Sequence, residues 1–368
     1  MGTRDSSRRA RLVRWVGAGL VLVLLAVVVR EVDGESVKRA LARVDLRWAP
    51  LLVLLLALNF LIRSWRWRYL LGGGRRLPVG PLAEATTVGF MSSFLLPFRA
   101  GEVVRPWLLS RWRPVRFGTA VASIVIERVT DGLTVIGLLA LAAARWRESP
   151  EWLEAGARML GLVAAAGLGM MVLAYAFSAP FTRWAQRLVD LLVPARLDAW
   201  RLRLHHLVDG FFSGLKAIRS LRQLLLVILG SVALWLELAV FYQAGLRMMG
   251  LELPFAAGLS VTVLVALAIA APGPPGFLGT FQIGCIAALG LHGIGRGDAL
   301  SFSIVMHLGQ AACIVPAGLW VLHHRGLGFR EALPWSVTAQ DGSSATGAPS
   351  SSTRIADKPG VSRKAADS

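Results

Sequence analysis

Apolar runs long enough to cross a bilayer, two of them cut near the middle by proline, glycine or charge, constrain this chain more than any other feature. A helix rises about 1.5 Å per residue, so about 20 apolar residues span the hydrocarbon, and snorkelling or local thinning accommodates somewhat shorter runs. Uninterrupted runs occur at 15–29, 48–65, 117–144, 157–177, 224–246 and 299–322. With 55% hydrophobic and only 17% charged residues among 368, the chain reads as an all-α polytopic membrane bundle of about six full spans.

The two interrupted regions are 82–109, containing "LLPFRAGEVVRP", and 255–291, containing "APGPPGFLGTFQ". Proline has no amide hydrogen and clashes with the preceding turn, so neither region continues as one helix. Both are expected to be broken helices or re-entrant hairpins. Cytoplasmic loops of membrane proteins are rich in arginine and lysine, which tests this expectation. Arg63, Arg66, Arg68, Arg75 and Arg76 precede the first broken region, and Arg111, Arg113 and Arg116 follow it. Both sides belong in the cytoplasm only if 82–109 enters and leaves by the same face. The loop at 145–158 balances acids against arginines and belongs outside, whereas 181–222 is basic and reads as cytoplasmic amphipathic helices. The second broken region then enters from the opposite face, an inverted arrangement like that of transporters with discontinuous helices.

The resulting organisation is a basic cytoplasmic N-terminus at 1–14, a membrane domain at 15–325 and a polar tail at 334–368 with the composition of disorder. Localisation in the inner (plasma) membrane with both termini cytoplasmic follows. The formal charge of +18 comes almost wholly from arginine clustered at span ends, where it anchors headgroups, and no nucleic-acid partner is expected. The cysteines, Cys285 and Cys313, each lie inside an apolar run and imply neither a disulfide framework nor a thiolate metal site. Adjacent histidines point to different helix faces, and no HExxH, Walker A or nucleophile-elbow pattern occurs, so no metal or other cofactor is expected.

Charge inside the apolar runs carries the functional signal. The span "ASIVIERVTDGLTVIGLLAL" holds Glu127, Arg128 and Asp131. Each ion at mid-bilayer costs about 2.5–3.5 kcal/mol on insertion scales, so the three should face the protein interior or water. Glu127 and Asp131 share a helix face, and Arg128 lies within reach of Asp131. Arg99, Glu102 and Arg105 of the first broken region bring the formal count to zero. Pro97 is expected to stop one half-helix, Gly101 to supply a flexible turn, and the amides at the start of the next half-helix to join Arg99 and Arg105 in a phosphate site. A buried ionic clasp that only fixes packing is the competing reading. Glu237 and Glu84 have no evident local partner and are candidates for proton coupling. Pro275, Gly276 and Gly279 rigidify and thin the second break, and Gln282 adds a neutral polar group just beyond it.

These stretches, "LPFRAGEVVRP", "ASIVIERVTDGL" and "APGPPGFLGTFQIG", together resemble the lysylphosphatidylglycerol synthase transmembrane-region family of flippase-like membrane proteins over about 15–325. Arg99, Gly101, Glu102 and Arg105 match its R-x-G-E-x-x-R block, and Glu127, Arg128 and Asp131 its E-R-x-x-D block. In the third block, P-G-G-x-G-x-x-E, Pro275, Gly276 and Gly279 match, while Phe277 stands for glycine and Gln282 for glutamate. The resemblance implies a lipid-handling membrane region, which in bifunctional relatives is fused to a soluble aminoacyl transferase; with about 46 mostly polar residues after Leu322, no such transferase is expected here. The expected function is a lipid transporter or flippase-like protein that binds an anionic or glycosylated headgroup through those residues. The alternatives are a membrane enzyme or enzyme subunit in polyprenyl- or hopanoid-type lipid metabolism, and an accessory scaffold. Membrane lipids are the expected partners, with a lipid-synthesis enzyme as a candidate.

Overall fold

The computed structural model describes residues 44–72, 77–143, 178–193, 198–215, 220–270 and 274–334, together with positions 155, 159, 162, 166, 169 and 173. Among the described residues every regular element is helical. The expected span at 15–29, the basic N-terminus and the polar tail lie outside them, as does most of 157–177, whose described positions are helical.

A short 3-10 turn, Leu46–Trp48, leads into α1, Ala49–Leu70, which begins with Pro50 in its first turn, where a missing amide hydrogen costs nothing. α2, Val79–Leu95, stops because Leu96 is extended ahead of Pro97, and α3, Gly101–Trp112, follows after a five-residue break. α4, Phe117–Ala143, is 27 residues long. α5, Ser178–Leu192, and α6, Asp198–Leu215, form a helical hairpin tied by Gln186 Nε2 donating to Asp209 Oδ1 at 2.8 Å. α6 lies against the start of α4, where the Thr119 hydroxyl donates to Gly210 O at 3.0 Å.

α7, Leu221–Met248, starts on a Ser220 cap whose hydroxyl oxygen accepts from the Gln223 amide. α8, Phe255–Ala268, and α9, Thr280–Gly290, flank the second break, which contains the single turn Pro275–Phe277. α10, Arg296–His324, closes the bundle. Among the described residues, three helical segments are long and apolar enough to cross a membrane: Leu46–Leu70, Leu221–Met248 and Arg296–His324. α4 has the length but carries three charges in its middle.

Both interrupted regions fold back on themselves. In the first, Gly89 of α2 touches the Gly101 carbonyl and the Arg105 side chain of α3. In the second, Gly284 of α9 meets Leu264 and Val265 of α8, and Ser260 of α8 bonds His292 just past α9 at 3.0 Å. The two tips meet. Arg99 Nη1 donates to Ala270 O at 3.3 Å, its guanidinium lies 5.8 Å from the Phe277 ring centre, and Gly276 packs on the Phe94 carbonyl. Apolar packing divides into two clusters on either side of this junction. One gathers Leu246, Val261, Cys285 and Phe302 from α7 to α10, and the other gathers Trp67, Leu82, Met91, Leu108 and Ile126 from α1 to α4.

Two local expectations change. α1 does not end near Trp65 but continues to Leu70, so Arg63 and Arg66 belong to the span and not to a cytoplasmic stretch. Gly101 is not the turn residue: Phe98 and Arg99 carry the turn at φ 57° and 53°, while Gly101 is a buried residue opening α3. A Cβ there would overlap the Gly89 carbonyl and the Ser93 hydroxyl, so glycine is required for close approach of the two arms.

Candidate functional site

α1 presents a polar stripe to the bundle interior, with Asn59, Arg63 and Arg66 at i, i+4 and i+7 on one helix face. α4 offers Glu127 and Asp131 one turn apart, and α3 offers Arg105. Arg66 and Glu127 are 0% exposed, and Arg105 and Asp131 are each 4% exposed. Arg66 bonds Asp131 through both Nη nitrogens, with Nη2 to Oδ2 at 3.3 Å, reaches Glu127 at 3.2 Å, and donates to the Ser231 hydroxyl of α7 at 2.7 Å. Trp235 Nε1 donates to Asp131 Oδ1 at 3.2 Å. Arg105 Nη1 donates to both Glu127 oxygens at 3.0 and 3.1 Å, with its guanidinium 3.8 Å from the centre of the Trp67 ring. These four charges form a closed clasp joining α1, α3, α4 and α7. Asp131 therefore pairs with Arg66 of α1, not with Arg128 as the spacing within α4 suggested.

A second tier faces a cavity of about 480 Å³, within the roughly 300–1,000 Å³ usual for small-ligand sites. Arg63, Arg99, Glu102 and Arg128 line it, as do Arg105 and Asp131 at the clasp's edge. Arg63 lies 3.6 Å from Glu127 and 4.9 Å from the Phe90 ring centre. Arg99 reaches Glu102 at 3.2 Å, and Arg128 reaches Glu102 at 3.8 Å and Glu127 at 3.7 Å. The Arg63 and Arg128 contacts are longer than those of the clasp, and the Arg128 side chain is 38% exposed.

The charge count does not close. Arg63, Arg66, Arg99, Arg105 and Arg128 face Glu102, Glu127 and Asp131, a formal excess of two positive charges, because α1 adds two arginines absent from the sequence-based count. The Nε atoms of Arg63, Arg66, Arg105 and Arg128 and Nη2 of Arg105 are buried without a hydrogen-bond partner, in the clasp as well as in the rim. An anion in the cavity would enter a field of net positive sign. The α3 amides are not among them: Glu102 N donates to Arg99 O at 2.9 Å, and Val103 N and Val104 N donate to Ala100 O at 3.1 and 3.0 Å. The positive charge at the cavity therefore comes from guanidinium groups, and these three amides at the start of α3 are already spent.

The second break contributes less to the cavity wall than its sequence suggested. Phe277, Phe281 and His307 line the cavity, whereas Pro275, Gly276, Gly279 and Gln282 do not appear among its lining residues. Gly276 and Gly279 take φ of 66° and 83°, the region that favours glycine, and Phe277 takes 58° although it bears a side chain. Gln282 is a cap: its Oε1 accepts from Gly279 N at 2.8 Å, and its Nε2 contacts His307 Nδ1 at 3.3 Å. Glu237 of α7 lines the cavity with one oxygen bonded to Asn59 Nδ2 at 2.6 Å. Glu84 lies elsewhere, bonded to Arg325 Nε at 2.6 Å across the far end of α2. No group of three or more metal-ligating side chains occurs among the described residues.

Comparison with known proteins places this geometry in a family. The model of the lysylphosphatidylglycerol synthase transmembrane region matches residues 14–318, most of the chain. The chain belongs to that family. A curated relative, Glycosyltransferase AglD of Haloferax volcanii, is 28% identical over 165 residues, which is 44% of this chain. The match spans about a quarter of that relative, 24% of its length. No solved structure matches the chain. The clasp, the rim of arginines and both breaks all lie within the family match.

Arg63, Arg66 and Asn59 are the residues that sequence reasoning missed. Their signal was present: three polar groups at helical spacing on one face of an otherwise apolar run.

Proposed function

We propose that this protein is a lipid transporter of the flippase-like type, residing in the plasma membrane with both termini cytoplasmic, which binds an anionic lipid headgroup in the cavity between the two broken segments. The observation that carries this reading is the uncompensated cationic rim on a cavity at the junction of two helix breaks. A phosphate seated against Arg63, Arg99 and Arg128 would complete their hydrogen bonding and cancel the charge excess, while the acyl chains stay in lipid. Relative movement of the hairpin tips, which meet among the described residues at the Arg99 to Ala270 bond, the Arg99–Phe277 contact and the packing of Gly276 on Phe94, would open the cavity alternately to the two leaflets.

Reconstitution tests it. Proteoliposomes should translocate a fluorescent anionic phospholipid faster than protein-free vesicles, and Arg99→Gln should abolish the difference. Equal rates in both preparations would defeat the proposal. The glycosyltransferase name of the relative supports a second reading, in which this membrane region presents a lipid to a synthesis enzyme acting as its partner. Formation of a new lipid by the purified protein in detergent would favour that reading.

A further inference from the structure

His307 of α10 is a buried imidazole with no part in holding a headgroup. It is 6% exposed, and its ring lies 4.8 Å from that of Phe281 and 5.6 Å from that of Phe94, centre to centre, so it touches α9 and α2 at once. Its hydrogen bonds belong to a chain whose direction is fixed from one end. Gly279 N only donates, so the Gln282 atom that meets it at 2.8 Å is the side-chain oxygen. The Gln282 atom that meets His307 Nδ1 at 3.3 Å is then the amide nitrogen, which also only donates. Nδ1 must accept, which leaves the hydrogen of the neutral ring on Nε2, beside Gly276, whose backbone accepts it. The neutral tautomer therefore completes a relay from Gly279 through Gln282 and His307 to Gly276, across the second break.

A second proton on the ring has no place in this relay. It sets Nδ1–H against the Gln282 amide nitrogen. If that amide turns over to accept, its nitrogen meets the Gly279 N–H instead. Two donors oppose each other in either arrangement, so one hydrogen bond within the break is lost. The ionisable groups on the elements packed around the ring are Arg99 beyond the end of α2, Glu237 and Tyr242 of α7, the buried Cys285 of α9, and Glu84 of α2, which Arg325 engages at the far end. They bear on the pH at which the ring charges, whereas the conflict at Nδ1 belongs to Gln282.

We propose that His307 is a proton-binding site that controls the second break. Neutral, it holds Gly276 in place against the Phe94 carbonyl; protonated, it frees the start of α9 from its Gln282 cap and loosens the junction of the two hairpin tips. The switch acts on the backbone whatever ligand the cavity takes.

Hydrogen exchange of the full-length protein in detergent, expressed as protection relative to the unstructured rate at each pH and resolved to Gly279 and Ile283, reads this switch. Between about pH 8 and about pH 5, on either side of the ordinary imidazole value of about 6.5, both amides should lose about fivefold in protection, the size of one hydrogen bond, while amides of α1 keep theirs. Gln282→Glu replaces the opposing donor by a carboxylate oxygen that accepts from Nδ1–H and leaves the other oxygen for Gly279, so protection should hold at the lower pH. His307→Phe keeps an aromatic ring between Phe94 and Phe281 but has no proton to gain, so its protection should already be low at about pH 8 and stay the same at about pH 5. Glu237→Gln should leave the response of the parent in place. Equal protection of the parent at both pH values overturns the proposal. So does an acid loss that survives in His307→Phe or Gln282→Glu, or one that disappears in Glu237→Gln.

Discussion

Replacing Glu127 by glutamine separates the clasp from the rim. The Glu127 carboxylate is fully buried, with Arg105 at 3.0 Å, Arg66 at 3.2 Å, Arg63 at 3.6 Å and Arg128 at 3.7 Å. Glutamine preserves its shape but leaves four guanidinium groups around a neutral amide, with Asp131 as the remaining buried anion. Removing one partner from a buried ion pair costs about 3–5 kcal/mol. At about 1.4 kcal/mol per tenfold change, the lower figure already shifts the folded ratio about 100-fold. Arg99→Gln breaks only partly exposed contacts and costs about 0.2–1 kcal/mol. Thermal unfolding of both variants in detergent, followed by gel filtration, should show a large fall in midpoint for Glu127→Gln and a small one for Arg99→Gln. Lipid translocation should show the reverse contrast per folded molecule, with Arg99→Gln losing activity. Equal destabilisation by the two substitutions, or a Glu127→Gln protein as stable as the parent, would refute the division into two tiers.

Other perturbations follow from single contacts. Arg66→Gln and Asp131→Asn should each destabilise strongly, and the double variant should lose at least about 1 kcal/mol less than the sum, because one interaction is counted twice; a thermal double-mutant cycle measures it. Gly101→Ala should cost about 1–3 kcal/mol by forcing α2 and α3 apart, read as a lowered unfolding midpoint. Phe277→Gly should be more stable than Phe277→Ala by about 1–2 kcal/mol, since both lose the ring but only glycine accepts the left-handed backbone freely. In the α5–α6 hairpin, the hydrogen bond from Arg201 at 2.6 Å, with His205 at 2.9 Å, holds the Asp190 carboxyl below its ordinary value. A depressed folded value means that its contribution is complete above the ordinary aspartate range and lost only as pH falls through the lower one. Hydrogen exchange of α5 amides should therefore accelerate below pH 4, and Asp190→Asn should remove that step.

How much could be read in advance varied with how local the cause was. The two breaks were legible because proline acts on its own turn: Leu96 is extended ahead of Pro97 whatever packs nearby. That 82–109 folds back as a hairpin followed from the basic residues on either side of it. The charges of α4 were legible because lipid leaves them no other place than the interior. Arg63 and Arg66 were misplaced because a basic cluster after an apolar run ordinarily marks a loop, and only the continuation of α1 through Leu70 turns them inward. The use of Gly101 was misjudged for a related reason. Glycine in sequence signals either a turn or a close approach, and the choice depends on Gly89 and Ser93, residues from another helix.

Clasp and site are different residues, so they need not compete for one role. A structural clasp in a bilayer should end with matched charges, since every unmatched ion keeps its desolvation cost. Arg66 and Arg105 against Glu127 and Asp131 meet that requirement, and their short contacts and near-complete burial fit it. Arg63, Arg99 and Arg128 against Glu102 do not. They share one carboxylate of their own, and Arg63 and Arg128 lean on Glu127 at 3.6 and 3.7 Å. Selection for packing alone would have no use for three such guanidiniums around an open cavity, when a single apolar side chain at each position would fill it. Under the proposed function, the charge of a bound anionic headgroup would supply the partner that this rim lacks.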